Sequence, residues 1–258
     1  MQPHERLSNA LTAAKKGGRT ALIPFVTAGY PRRENFIDVL EAISDVGDAV
    51  EIGVPFSDPM ADGMTIQRSS FEAIKNGVSL RWILDELDGA GERIKAPLVL
   101  MSYLNPLLAY GYEKLAARAA NCGVCAFIVP DLPFEESEEL RAALESKGLG
   151  LIQLVTPATP APRLAKLANA SKGFLYAVTI TGITGGGSEL PDNLANYLDG
   201  IAAVSPIPVC AGFGIRAASD VDNVGRHATG AIVGSALVEV LEKGEDPATF
   251  LRGLRGDR

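Results

Sequence analysis

The sequence is poor in the residues from which metal centres, membrane anchors and nucleic-acid surfaces are built. Among 258 residues there are three cysteines and two histidines. Cys122 and Cys125 form a lone C-x-x-C, but a structural zinc site needs four ligands, and only Cys210, His4 and His227 remain, scattered along the chain. The pair reads as two small residues entering a buried strand in a reducing compartment, and no metal is expected. No apolar run approaches the roughly 18 residues that span a bilayer, and the N-terminus MQPHERLSNALTAAKK lacks the apolar segment of a signal peptide. A cytoplasmic protein without a membrane partner is expected. A basic stripe is missing as well, and the net charge of −7 argues against a nucleic-acid partner. After the first apolar run Gly29 stands alone before YPRREN, so the G-x-G-x-x-G of a dinucleotide-binding turn is absent.

What the chain does have is apolar residues, at 47%, with 27 glycines and 16 prolines, the composition of a globular protein with many turns. Pro3 to Lys16 sets Leu7, Ala10, Leu11 and Ala14 at helical spacing. Eight short apolar runs then follow, beginning at Thr20, Asp48, Pro97, Cys125, Leu149, Gly173, Pro208 and Gly230. Amphipathic stretches lie between them: Phe36, Leu40 and Ile43; Leu80, Ile83, Leu84 and Leu87; Leu140 and Leu144; Leu194, Leu198 and Ile201. Continuous Val/Ile/Leu strands are covered on both faces, and strict alternation implies parallel pairing by right-handed crossovers. Eight such units predict an α/β fold, a single (β/α)8 TIM barrel with an extra N-terminal helix, residues 1–258 forming one domain.

One stretch breaks the apolar rule. In AVEIGVPFSDPMADGMTIQ, side chains alternate, so Val50 and Ile52 face the helices while Ala49, Glu51 and Gly53 face the barrel interior. Catalytic groups on this fold lie at the C-terminal ends of strands, and a buried carboxylate is costly unless it is functional, paired or protonated. No strand segment offers a basic partner. Small Ala49 and Gly53 would leave space for a ligand beside the acid. Asp62, eleven residues on, closes a Gly/Pro-rich loop. Such acids often serve turns or helix N-caps, but two carboxylates in unlike environments can divide acid and base roles.

The other end of the chain is glycine-rich. The seventh and eighth runs end in AGFGI and VGSAL, where loops of this fold commonly bind phosphate. The sixth loop, GITGGGSEL, adds Thr184 and a glycine run. Together these predict a phosphate-bearing substrate, with the long second and sixth loops closing over it as lids.

EIGVPFSDPMADGMTIQ, IPFVTAGYP, DLPFEES, GITG, AGFGI and VGSA, in this order from about residue 6 to 242, closely resemble the tryptophan synthase alpha chain family. The resemblance implies cleavage of indole-3-glycerol phosphate to indole and glyceraldehyde 3-phosphate in tryptophan biosynthesis. It implies no cofactor in this subunit, and an α2β2 complex with a beta chain that uses pyridoxal phosphate. Carried onto matching positions, it makes Glu51 the principal acid/base, Asp62 the partner of the indole N–H, and Tyr176 a neighbour of Glu51. Phe25, Ile66, Leu100, Tyr103, Ile128 and Phe213 would line the indole slot. Thr184, Gly185, Gly214, Gly234 and Ser235 match the phosphate contacts. The chain departs from the family pattern at Met64, where proline is frequent, and at Gly186 and Gly187, where an arginine-containing loop is common. Rival expectations are a stand-alone indole-releasing lyase, a non-catalytic phosphate-ligand-binding regulatory subunit, and a related indole-3-glycerol phosphate synthase or phosphoribosyl isomerase. The synthase would carry lysines at strand ends, and no strand segment contains one.

Overall fold

The computed structural model describes residues 1–178, 192–212 and 214–256. In chain order the elements begin with α1 (Pro3–Lys16), β1 (Ala21–Thr27), α2 (Phe36–Ser44), β2 (Val50–Gly53), α3 (Met64–Lys75), α4 (Leu80–Ala90) and β3 (Leu98–Met101). They continue with α5 (Leu104–Tyr110), α6 (Tyr112–Asn121), β4 (Val124–Ile128), α7 (Glu138–Glu145), β5 (Gly150–Val155), α8 (Ala161–Ala170) and β6 (Leu175–Val178). The last are α9 (Asp192–Val204), β7 (Val209–Gly212), α10 (Ala218–His227), β8 (Gly230–Val233), α11 (Ser235–Glu242) and α12 (Pro247–Arg255). Every strand pairs in parallel with its neighbours in sequence, and β8 returns to β1 to close the barrel.

Alternation along the strands sorts the core into two shells. Val50, Ile52, Leu98, Leu100 and Phe127 face outward and pack with the helix residues Leu40, Ile43, Leu84, Leu144 and Leu198. Ile23, Ala49, Val99, Cys125, Ile152 and Cys210 face inward, and Leu7, Leu11 and Ala14 of α1 join this inner shell. Helix α1 therefore closes the N-terminal end of the barrel. His4 N–H donates to Gly148 O (3.2 Å), Ser8 Oγ to Gly173 O (2.5 Å) and Lys15 Nζ to Ala228 O (3.1 Å), three carbonyls just ahead of β5, β6 and β8. Among the described residues that plug leaves the C-terminal end of the barrel as the open one. Cys122, Cys125 and Cys210 are buried free thiols. Among the described residues no helix is long and apolar enough to cross a membrane.

Hydrophobic periodicity leaves helix α3 unmarked. The face that α3 buries is Ser69, Ser70 and Ala73, so the apolar signal of an amphipathic helix is nearly absent there. What fixes α3 is polar: Ser69 Oγ and Thr27 Oγ1 of β1 share a buried hydrogen bond of 2.6 Å. Arg68 Nη2 also reaches Glu242 of α11 at 2.6 Å.

Candidate active site

A cavity of about 260 Å³ opens at the C-terminal end of the barrel. Strand residues Phe25, Glu51, Met101, Leu154, Tyr176 and Ile232 form its floor and apolar wall. Asp62 and Ile66 border it from the segment after β2, Gly214, Ile215 and Arg216 from the loop after β7, and Gly234, Ser235 and Ala236 from the start of α11.

Glu51 lies in register with Phe25 of β1 and Val99 of β3, and is 1% exposed. Its Oε2 has no hydrogen-bond partner among the described residues. Burial first, and then the charge of Asp62, push its pKa up to about 8. At neutral pH the side chain is a carboxylic acid, able to donate a proton. This resolves the apparent contradiction of an unpaired carboxylate in a barrel core.

Asp62 sits one residue ahead of Gly63, the N-cap of α3, in a different environment. Tyr103 Oη donates to Asp62 Oδ2 at 3.1 Å and accepts from Ala61 N–H at 2.9 Å. Gln67 Nε2 donates to the Asp62 carbonyl at 2.9 Å. The tyrosine ring is itself held by stacking on Phe56, centroids 4.8 Å apart. Burial raises the Asp62 pKa, and the Tyr103 hydroxyl opposes that rise by stabilising the charged form. Burial, then Glu51 and Asp62, hold the Tyr176 phenol far above its ordinary range, so it remains a donor.

Two glycines shape the floor by what they leave out. A Cβ on Gly212 would come within 2.7 Å of Tyr176 Oη, so the neighbouring strand must be bare there for the phenol to fit. A Cβ on Gly53 would lie 2.5 Å from Phe25 Cζ. The Phe25 ring therefore fills the space beside Gly53, while the cavity expected beside Glu51 is present, with Phe25 among its lining residues.

The structure brings together Phe25, Glu51, Asp62, Ile66, Tyr176, Gly214, Gly234 and Ser235 around one cavity. Leu100 is a correction: alternation on β3 turns it outward, fully buried against the helices, and puts Met101 on the cavity instead. Ile128 points inward but is sealed in the inner shell, away from the lining. Tyr103 is not among the lining residues either; it stands behind Asp62. Thr184, Gly185 and Phe213, and the sixth-loop lid, lie outside the described residues. Among the lining residues not assigned to the site from sequence, Met101, Leu154 and Ile232 carry no signal beyond their place on a strand. Another, Arg216, directly follows the AGFGI motif.

The first turn of α11 leaves the N–H groups of Ser235 and Ala236 without helical acceptors, beside the cavity, with the positive end of the helix dipole behind them. That is a setting for an anion. Among the described residues no cluster of three or more His, Cys, Asp or Glu could hold a metal.

Two unlike acids aimed into the C-terminal mouth of a parallel barrel place the chain among barrel enzymes that move protons on a bound small molecule. Comparison with known proteins narrows that class. The family model described as tryptophan synthase alpha chain matches residues 11–254, and the chain belongs to that family. It is 43% identical to the tryptophan synthase alpha chain of Roseiflexus castenholzii over 97% of this chain and 99% of that one. With its counterpart from Desulfovibrio desulfuricans it shares 45% identity over 95% and 97%. Among solved structures, the tryptophan synthase subunit alpha of Legionella pneumophila superposes with a TM-score of 0.88 at 30% identity, covering 100% of this chain and 98% of that one. A chain of the Mycobacterium tuberculosis tryptophan synthase gives 0.87 at 36%, covering 98% and 96%.

Proposed function

We propose that this chain, acting as one barrel domain, cleaves indole-3-glycerol phosphate to indole and glyceraldehyde 3-phosphate as the alpha subunit of tryptophan synthase. The observation that carries the reading is Glu51, a buried acid with one oxygen unpaired among the described residues and a pKa near 8, facing the same cavity as Asp62.

Protonated Glu51 donates its proton to indole C3. The ring becomes an electron sink with positive charge on its nitrogen, and the Asp62 carboxylate, steadied by Tyr103, accepts the ring N–H and offsets that charge. The bond from C3 to the glycerol carbon then breaks, its electron pair returning to the ring. Glu51, now a carboxylate, takes the proton from the hydroxyl on that carbon as the aldehyde forms. The proton count closes and Glu51 regains its starting state. Phe25, Ile66, Met101, Leu154 and Ile232 supply the apolar wall for the ring. Ser235, Ala236, Gly214 and Gly234 hold the phosphate, joined by Thr184 and Gly185 of the sixth loop.

The partner is a beta chain in an α2β2 complex, which brings pyridoxal phosphate, while this chain contributes no cofactor; the setting is the cytoplasm. Met60, Met64 and Leu108 support such a partner: these large apolar side chains, 87%, 78% and 58% exposed, lie in segments that follow β2 and β3, at the cavity end of the barrel. The test is to supply indole-3-glycerol phosphate to the purified chain with and without a beta chain and follow indole and triose phosphate. Equimolar products are expected, faster with the partner. Absence of indole under both conditions would sink the reading.

A further inference from the structure

The groups on the described lining of the cavity that can carry charge are two acids and one cation; with Glu51 protonated at neutral pH, the charges there are the Asp62 carboxylate and the Arg216 guanidinium. A phosphate monoester is a dianion at neutral pH, and the Asp62 carboxylate repels it. Backbone N–H groups and a helix dipole offer only fractions of a charge in return. Arg216 stands where a full charge would serve, on the loop after β7, beside Gly214 and across from the first turn of α11.

Its position is held from two sides. Asp220 Oδ2 accepts the backbone N–H of both Arg216 and Ala217 at 2.9 Å, fixing the backbone from which the side chain departs. Glu239, one helical turn beyond Ser235 on α11, takes the guanidinium in a two-pronged pair at 2.8 and 2.9 Å. The arginine side chain is 59% exposed, so this pair sits in water-screened surroundings and is weak. An arriving dianion competes well for the same planar fork, which matches phosphate oxygens as readily as a carboxylate.

We propose that Arg216 is the cationic rim of the phosphate subsite, and that Glu239 parks its guanidinium beside the cradle until a phosphate monoester arrives. The inference rests on the lyase reading for the presence of a phosphate but not for the chemistry. Arg216 attracts and binds substrate; it takes no part in bond breaking.

The test is calorimetric binding of glycerol phosphate and of inorganic phosphate, alongside steady-state kinetics. Arg216→Gln should weaken glycerol phosphate binding about tenfold, raise KM rather than lower kcat, and flatten the dependence of binding on salt. Arg216→Lys should restore most of the affinity, since the charge remains even though the two-pronged pair is lost. Glu239→Gln separates this role from a merely structural ion pair: freeing the guanidinium should tighten phosphate binding about threefold, whereas loss of a structural strut would weaken it. Unchanged binding in Arg216→Gln, or weakening in Glu239→Gln equal to that in Arg216→Gln, overturns the inference and leaves the lyase reading intact. If the native chain itself binds neither phosphate ligand, the phosphate subsite falls and this inference with it.

Discussion

Two acids enter the barrel from the same short segment, Asp48 just before β2 and Glu51 within it, and their surroundings are opposite. Asp48 lies at the plugged end. Its Oδ2 accepts the Leu22 N–H at 2.9 Å and Arg255 Nη2 at 2.7 Å, and its Oδ1 accepts Arg19 Nη2 at 3.3 Å. Through them it ties β1, β2 and the C-terminal helix α12 together. Glu51, at the open end, has an oxygen with no partner among the described residues. Burial raises the pKa of both, but at Asp48 the Leu22 amide and Arg19 pull it back. Burial alone does not make an acid catalytic; what distinguishes the working acid is that its partners have been withheld and a cavity left in their place.

Exchanging the two acids for their amides sharpens that contrast. Glu51→Gln should lower kcat for indole formation by about 10³- to 10⁴-fold, while glycerol phosphate still binds. It should also stabilise the fold at alkaline pH. Glu51 has a folded pKa near 8 against an ordinary 4.5, so between those values the folded chain holds a proton that the unfolded chain releases. The stability this confers is fully present below the unfolded value and is lost as pH rises through 8. Urea titrations from pH 5 to 9 should therefore show the native chain losing stability relative to Glu51→Gln by several kcal/mol, at about 1.4 kcal/mol for each pH unit crossed between the two values. A constant difference across that range would mean Glu51 is already ionised in the folded state. Asp48→Asn should do the reverse. It strands Arg255, whose Nε already lacks a partner among the described residues, and should cost about 3 kcal/mol in denaturant unfolding, with kcat of the folded fraction preserved. Loss of kcat without loss of stability would erase the distinction between the two ends.

Asp62→Asn tests whether the acids at the open end act as a pair. We expect a loss in kcat of about 10²-fold. The charge of Asp62 is one of the two causes that raise Glu51, so the alkaline limb of the residual pH–rate profile should move to lower pH. A smaller rate with an unmoved limb would mean that the two carboxylates do not feel each other.

How much of this was legible depended on whether a residue's role is written in its own chemistry or in its neighbours. The eight strands and the N-terminal plug follow from apolar runs and helical spacing, and Glu51 announces itself as a charge in an apolar strand. Helix α3 does not, because its buried face is Ser69, Ser70 and Ala73 and its hold on β1 is a hydroxyl pair. Leu100 and Met101 look alike in sequence; only the start of β3 decides which one faces the cavity, and a shift of one residue exchanges them. Arg216 was hidden for another reason. Its meaning depends on Glu239, a partner on a different helix, and a charge pair across two elements has no local pattern.

Tyr103 gives the finest test, because the sequence cast it as a wall of the indole slot and the geometry casts it as the support of Asp62. Tyr103→Phe keeps the ring and its stacking on Phe56 while removing the one oxygen that accepts Ala61 N–H and donates to Asp62. If the ring is what matters, affinity for substrate and kcat should both stay near native values. If the hydroxyl matters, two changes should appear together. Asp62 loses the bond that favours its charged form, so its pKa rises further and the acid limb of the pH–rate profile should shift upward. Its carboxylate also loses orientation toward the ring nitrogen, and kcat should fall about tenfold, the lower end of what one hydrogen bond to a charged group contributes, with KM nearly unchanged. A slower enzyme with an unshifted acid limb would assign the loss to loop position alone, and a superimposable profile at full rate would return Tyr103 to the wall.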